Sequence, residues 1–94
     1  KQNHTEAQNN LALMYLHGDG IKQKIKSAKK WFEKAAKAGN INAQINLANL
    51  YLDSKAIKND KKKAFMWFKK AAEQGSAEAQ NKIGEMLENG IGTK

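Results

Sequence analysis

Ala28-Lys29-Lys30-Trp31-Phe32-Glu33-Lys34-Ala35-Ala36-Lys37-Ala38-Gly39 returns 36 residues later as Ala64-Phe65-Met66-Trp67-Phe68-Lys69-Lys70-Ala71-Ala72-Glu73-Gln74-Gly75. Working outward, Ala7 to Asn42 aligns without a gap on Ala43 to Glu78, and Ala79 to Lys94 opens a third copy. Ala7, Gln8, Asn10, Leu11, Ala12, Tyr15 and Leu16 all recur in phase. A period of this length is the signature of stacked supersecondary units. The expected organisation is one solenoid domain over residues 1–94, with repeat one at 7–42, repeat two at 43–78 and a partial repeat three at 79–94.

Each full copy holds two helical patterns. In the first, Ala7, Leu11, Met14 and Tyr15 fall at i, i+4, i+7 and i+8, as do Ala43, Leu47, Leu50 and Tyr51, then Ala79, Ile83, Met86 and Leu87. That spacing makes one apolar stripe on a helix, designated A. In the second, Ala28, Trp31, Phe32, Ala35 and Ala36 recur as Ala64, Trp67, Phe68, Ala71 and Ala72 and define helix B. Their recurrence in phase with the alanines assigns both Trp-Phe pairs to the core rather than to base stacking or interfacial insertion.

The punctuation keeps the same period. Gly39 and Gly75 stand just past each B helix, where a left-handed residue satisfies the last carbonyls, and Asn3 occupies that phase at the chain start. Asn40 and Ser76 follow as expected N-caps of the next A helix, and Thr5 to Gln8 reads as a capping box for the first. Gly18-Asp19-Gly20-Ile21 and Gly90-Ile91-Gly92 are turn-like, whereas Ser54-Lys55-Ala56-Ile57 lacks glycine and calls for a different conformation.

Ala-Gln, Leu-Ala, Tyr-Leu, a Gly-x-Gly-Ile turn, Ala-x-x-Trp-Phe and Lys-Ala-Ala-x-x-Gly, in this order, resemble the Sel1-like repeat, a relative of the tetratricopeptide repeat. The resemblance covers Thr5 to Gly92. It implies an all-α fold, a right-handed α/α solenoid of helix-turn-helix repeats with two full repeats and the first helix of a third. It also implies a non-enzymatic scaffold or adaptor that binds a peptide or protein partner in a concave groove lined by the A helices. The resemblance extends to cytoplasmic, periplasmic and secreted bacterial proteins alike. Three positions depart from the pattern: copy two lacks the turn glycines, Leu87 replaces Tyr, and Lys24 stands where the family commonly has Asp. Asp60 keeps the carboxylate, so only the first B helix is expected to lack that cap.

By the same resemblance, Asn9, Asn10, Leu13, Leu16 and His17 of copy one turn toward the groove. Ile45, Asn46, Asn49, Leu52 and Asp53 follow from copy two, and Asn81, Lys82, Glu85, Glu88 and Asn89 from copy three. Related repeats commonly use an Asn at the phase of Asn10 and Asn46 to grip peptide backbone or a terminal carboxylate. The chemistry suits that task, because a side-chain amide donates and accepts at once. The alternative is that these amides bond only to neighbouring helices and stiffen the stack.

The chain has 17 Lys or Arg, all of them Lys, against 9 acidic residues, for a net charge of +8. Seven lysines fall between Lys22 and Lys37 and seven more between Lys55 and Lys70, on or beside the B helices. A solvated outer wall is the expected reading, and abundant Lys, Asn and Ile without Arg also fits an AT-rich coding sequence. Nucleic acid is not the expected partner, since base reading usually recruits Arg. Two alternatives stay open: an electrostatic module binding nucleic acid or anionic surfaces through the B helices, and a structural spacer whose ends stack on adjacent repeats. The latter accords with a monomer or weak end-to-end association.

Catalytic chemistry finds no foothold in the pattern. Without cysteine there is no disulfide, thiol nucleophile or zinc knuckle. His4 and His17 stand far apart with no carboxylate pair at metal-ligand spacing. The Gly-Asp-Gly turn lacks the Lys-Ser/Thr of a phosphate loop. No catalytic residue, metal or cofactor is expected, and no stretch reaches the length of a membrane span or reads as a signal segment. The first residue is Lys1 rather than Met, and the sequence reads as a fragment of a longer array opening in the loop after a preceding B helix.

Overall fold

The computed structural model describes residues 2–17, 24–53 and 60–90. Five helices follow one another: α1 (Gln2–His17), α2 (Ile25–Lys37), α3 (Ile41–Asp53), α4 (Lys61–Glu73) and α5 (Ala77–Asn89), with no strand among the described residues. Helices α1, α3 and α5 are the A helices; α2 and α4 are the B helices. Each packs on its neighbours in sequence, most extensively within the pairs α1–α2 and α3–α4. The Cα envelope measures 39 × 30 × 16 Å, and its short dimension is that of two helix layers at the usual spacing of about 8–10 Å. The fold is an all-α helical repeat solenoid, a slab with an A layer and a B layer.

One backbone bond closes each helix pair. The Lys24 N–H donates to the Tyr15 carbonyl at 2.9 Å, and the Asp60 N–H to the Tyr51 carbonyl at 3.0 Å. The segments between, Gly18-Asp19-Gly20-Ile21 and Ser54-Lys55-Ala56-Ile57, lie outside the described residues.

The turns from B to A are built alike. The Gly39 N–H donates to Ala36 and the Asn40 N–H to Ala35, the paired bonds that terminate a helix through a left-handed residue. Gly75 and Ser76 repeat them on Ala72 and Ala71. Both glycines have φ near +100°, a region costly to a residue with a Cβ. Asn40 then caps α3 by accepting the Ala43 N–H at 2.8 Å, and Ser76 caps α5 by accepting that of Ala79 at 3.1 Å.

The chain start departs from the expected pattern. Asn3 lies within α1 rather than past the end of a preceding helix, and Thr5 is inside α1 rather than capping it. No described B helix precedes Asn3 to be terminated, so α1 extends three residues beyond the phase at which α3 and α5 begin. Thr5 is buried, and its Oγ1 accepts from Asn40 Nδ2 at 3.2 Å, tying α1 to the next turn. Gln8 stands 3.2 Å from His4 Nε2 instead of reaching back to a cap.

Lys24 makes no side-chain cap at the start of α2, whereas Asp60 accepts the Lys63 N–H at 3.0 Å at the start of α4. The difference follows the one carboxylate missing from the sequence.

Phe32, Phe68, Leu47 and Met86 are the largest fully buried side chains, set among Ala12, Ala28, Ala35, Ala48, Ala64 and Ala71. Small residues bring the helices close and the aromatics fill the space between layers. Trp67 is buried, but Trp31 is only half-buried against this core, with Lys34 Nζ 5.1 Å above its ring. Residues of α2 and the following turn line a cleft beside Trp67, and no described B helix stands in that place for Trp31. Met14 also departs from the apolar stripe: it is 46% exposed, against 5% for Leu50 and 1% for Met86. At the other end Leu87 is 56% exposed and its counterpart Tyr51 only 4%. Tyr51 meets Lys63 of α4 in its own repeat and Lys29 and Glu33 of α2 in the repeat before it.

A polar cluster binds α2, α3 and α4 together. Tyr51 Oη donates to Glu33 Oε2 at 3.2 Å, and Lys29 Nζ lies 3.3 Å from that same oxygen. Lys29 and Lys63 place their ammonium groups 5.7 and 5.5 Å from the Tyr51 ring centre. Burial pushes the Tyr51 phenol above its ordinary pKa, with Lys29 opposing and Glu33 adding to the effect. For Lys29 burial disfavours the charge, yet attraction to Glu33 and Tyr51 outweighs it and holds the amine above its usual value.

Candidate functional site

Helix phase determines what the A layer presents. Asn10, Leu13 and His17 stand at i, i+3 and i+7 on α1; Asn46, Asn49 and Asp53 repeat those places on α3; Lys82, Glu85 and Asn89 do so on α5. Asn10 and His17 are exposed, Leu13, Asn46 and Asn49 are half-buried, and Lys82 is half-buried beside exposed Glu85. Lys82 Nζ lies 3.7 Å from Glu85 Oε1. Leu16 and Leu52 are half-buried and pack against the core, while Glu88, Asn81 and Asn89 are exposed. The Asp53 side chain lies outside the described residues.

Asn9 and Ile45, at one shared phase, are buried. Asn46 Nδ2 donates to Asn9 Oδ1 at 3.1 Å, so one amide of α3 is held by one of α1. Of the two roles open to Asn46 in the sequence, bonding to a neighbouring helix is therefore realised. It does not exhaust the side chain, because an amide carries a second N–H and an oxygen with two lone pairs. Asn9 faces the seam between the helices and sets the Asn46 head group.

The recurring Ala-Gln dipeptide has a role that periodicity did not disclose. Gln44 Nε2 donates to the Ala36 carbonyl at 3.1 Å, and Gln80 Nε2 to that of Ala72 at 3.2 Å. Each glutamine reaches back to the C-terminal turn of the preceding B helix and satisfies a carbonyl there. Gln74 Nε2 also donates to Gln44 Oε1 at 2.9 Å, linking successive turns. A polar side chain recurring beside the apolar stripe was the available signal.

Two clefts open where these turns stack. One, of about 210 Å³, is lined by Ala36, Lys37, Gly39, Gln44, Trp67 and Lys70. The other, of about 300 Å³, is lined by Glu6, Gly39, Asn40, Ile41, Asn42 and Gln74. Neither gathers a nucleophile with a base, and among the described residues no group of three His, Asp or Glu stands where it could hold a metal ion. No described helix is long and apolar enough to cross a membrane.

Comparison with known proteins accords with this geometry. The Sel1 repeat family model matches residues 5–40, 41–76 and 77–94, the same period framed two residues earlier. A Sel1 repeat protein from Oxalobacter formigenes superposes with a TM-score of 0.92 at 36% identity, over 99% of this chain and 38% of its own. A protective antigen of uropathogenic Escherichia coli strains that displays an SLR fold gives a TM-score of 0.91 at 37% identity, over 97% of this chain and 20% of its own. The chain thus spans well under half the length of either protein. Among curated proteins no sequence relative matches. Repeat period, turn chemistry and superposition agree, and the chain belongs to the Sel1 repeat family, whose members are generally non-enzymatic protein-protein interaction modules.

Proposed function

We propose that this chain is a scaffold that takes an extended peptide or protein edge across its A-layer face. Asn10, Asn46 and Asn49 supply backbone hydrogen bonds, Leu13 gives an apolar contact, and His17, Asp53, Lys82 and Glu85 select side chains along the ligand. Asn9 acts as a positioning residue for Asn46. The observation that carries the reading is the amide pair itself: Asn46 is oriented by Asn9 at 3.1 Å beside an exposed Asn10. A preset amide pays less ordering entropy on meeting a peptide group than a free one.

A peptide selected from a random library on the immobilised chain provides the test. Its binding should shift the amide resonances of Asn10, Leu13, Asn46, Asn49 and Lys82. Asn10→Ala and Asn49→Ala should each weaken it roughly fivefold to tenfold, the effect of one hydrogen bond. Resonance shifts confined to α2 and α4, or affinities indifferent to both substitutions, would remove the A-layer face from consideration.

A further inference from the structure

The two layers of the slab carry opposite charge. Between residues 24 and 37 six lysines meet one acid, Glu33, and between residues 60 and 73 five lysines meet Asp60 and Glu73. The A helices carry five acids and a single lysine, Lys82. All the B-layer lysines in those two spans are exposed except the half-buried Lys29. On α2, Lys26, Lys30, Lys34 and Lys37 recur at helical spacing and form one stripe. On α4, Met66 is 40% exposed and stands four residues after Lys62 and three and four before Lys69 and Lys70.

A wall of this make-up is poorly suited to nucleic acid. It has no arginine to fork onto a phosphate or a base edge. Its aromatics are also largely withdrawn: Phe32, Phe68 and Trp67 are buried, Phe65 is half-buried against the core, and Lys34 lies over the half-buried Trp31. What remains is a sheet of ammonium groups two helices wide, on the broad side of a slab only 16 Å thick, with an apolar thioether among them. Lysine stems lie along an apolar boundary while their heads stay among anionic headgroups, and each such charge near the surface multiplies partition by roughly fivefold. We infer that the α2–α4 face docks on an anionic phospholipid bilayer, with Met66 at the acyl boundary and the A layer turned to solvent.

Vesicle co-sedimentation of the 94-residue chain, at about 150 mM salt where the Debye length is about 8 Å, tests this. Partition onto phosphatidylcholine vesicles containing phosphatidylserine should exceed that onto phosphatidylcholine alone by roughly 1000-fold or more, as several charges at about fivefold each require. Replacing Lys26, Lys30, Lys62 and Lys69 together with Gln should lower it several hundredfold, about fivefold for each charge, with an unchanged thermal melt showing that the fold survives. Met66→Ser should lower it roughly fivefold. The chain has no native cysteine, so an environment-sensitive fluorophore placed through Met66→Cys should report apolar surroundings on the vesicles, and one placed through Asn10→Cys should not. The inference is overturned by equal partition onto neutral vesicles or by apolar surroundings at position 10 alone. Displacement from the vesicles by duplex DNA or polyglutamate at matched charge would also overturn it, by reassigning the face to those partners.

Discussion

Repeats one and two share most of their apolar residues, yet they occupy different environments. Trp67 is buried beside α2 and the turn that follows it, whereas Trp31 is half-buried; Leu50 is buried, whereas Met14 is exposed. Residues at one phase, identical in the case of the two tryptophans, are therefore buried to different extents. In a solenoid the stability of a unit is divided between its own helix pair and the interfaces it makes with its neighbours, and this chain separates the two contributions within one molecule.

Truncating the tryptophans gives the largest separation. Trp67→Ala should cost about 3–5 kcal/mol in urea unfolding, the range for buried aromatics, and Trp31→Ala only about 1–2 kcal/mol for its smaller buried area. Equal losses would mean that the preceding repeat adds nothing at this site. Adjacent residues on α5 sharpen the point. Met86→Ala should cost about 2–4 kcal/mol, and Leu87→Ala less than about 0.5 kcal/mol, as for other surface sites.

The caps provide a smaller contrast, and one that can be reversed. Asp60→Ala should destabilise by about 1 kcal/mol, while Lys24→Asp should supply the cap that α2 lacks and relieve a positive charge at a helix N-terminus, a gain of about 0.5–1 kcal/mol. Alkaline titration should give the smallest effect. The Tyr51 phenol and the Lys29 amine both have folded pKa values above their unfolded ones. Their contribution is therefore complete below the unfolded values, at about pH 10, and is lost as pH rises through the folded ones. Tyr51→Phe should flatten the fall in melting temperature above about pH 10.

Much of this is legible in the sequence. The period gave the helix pairs, and Gly39, Gly75, Asn40, Ser76 and Asp60 marked helix ends where they are found, because turn and cap chemistry is local. Neighbour-dependent features were less legible. Thr5 read as a cap and is a buried tether to Asn40; Met14 and Trp31 read as core and are partly or largely exposed, since burial depends on what packs alongside. At the candidate site, phase set Asn9 with Asn10, Asn46 and Asn49 among the expected groove residues, but it could not disclose that Asn9 is buried and bonded to Asn46. That depends on how α1 and α3 approach each other, which no single repeat encodes.

Gln44 bears on how such a chain can lengthen. It donates to the turn of its own junction and accepts from Gln74 of the next, and Gln80 makes the same backward bond one unit later. At both described junctions the later copy therefore brings the connector for the copy before it. Duplicating one 36-residue unit inherits a working junction on both sides, with no second mutation required, while the segments between A and B are free to diverge, as Gly18-Asp19-Gly20 and Ser54-Lys55-Ala56 have done. A unit built this way carries its own means of joining the one before it, and variation can accumulate on the surfaces that the connectors leave open.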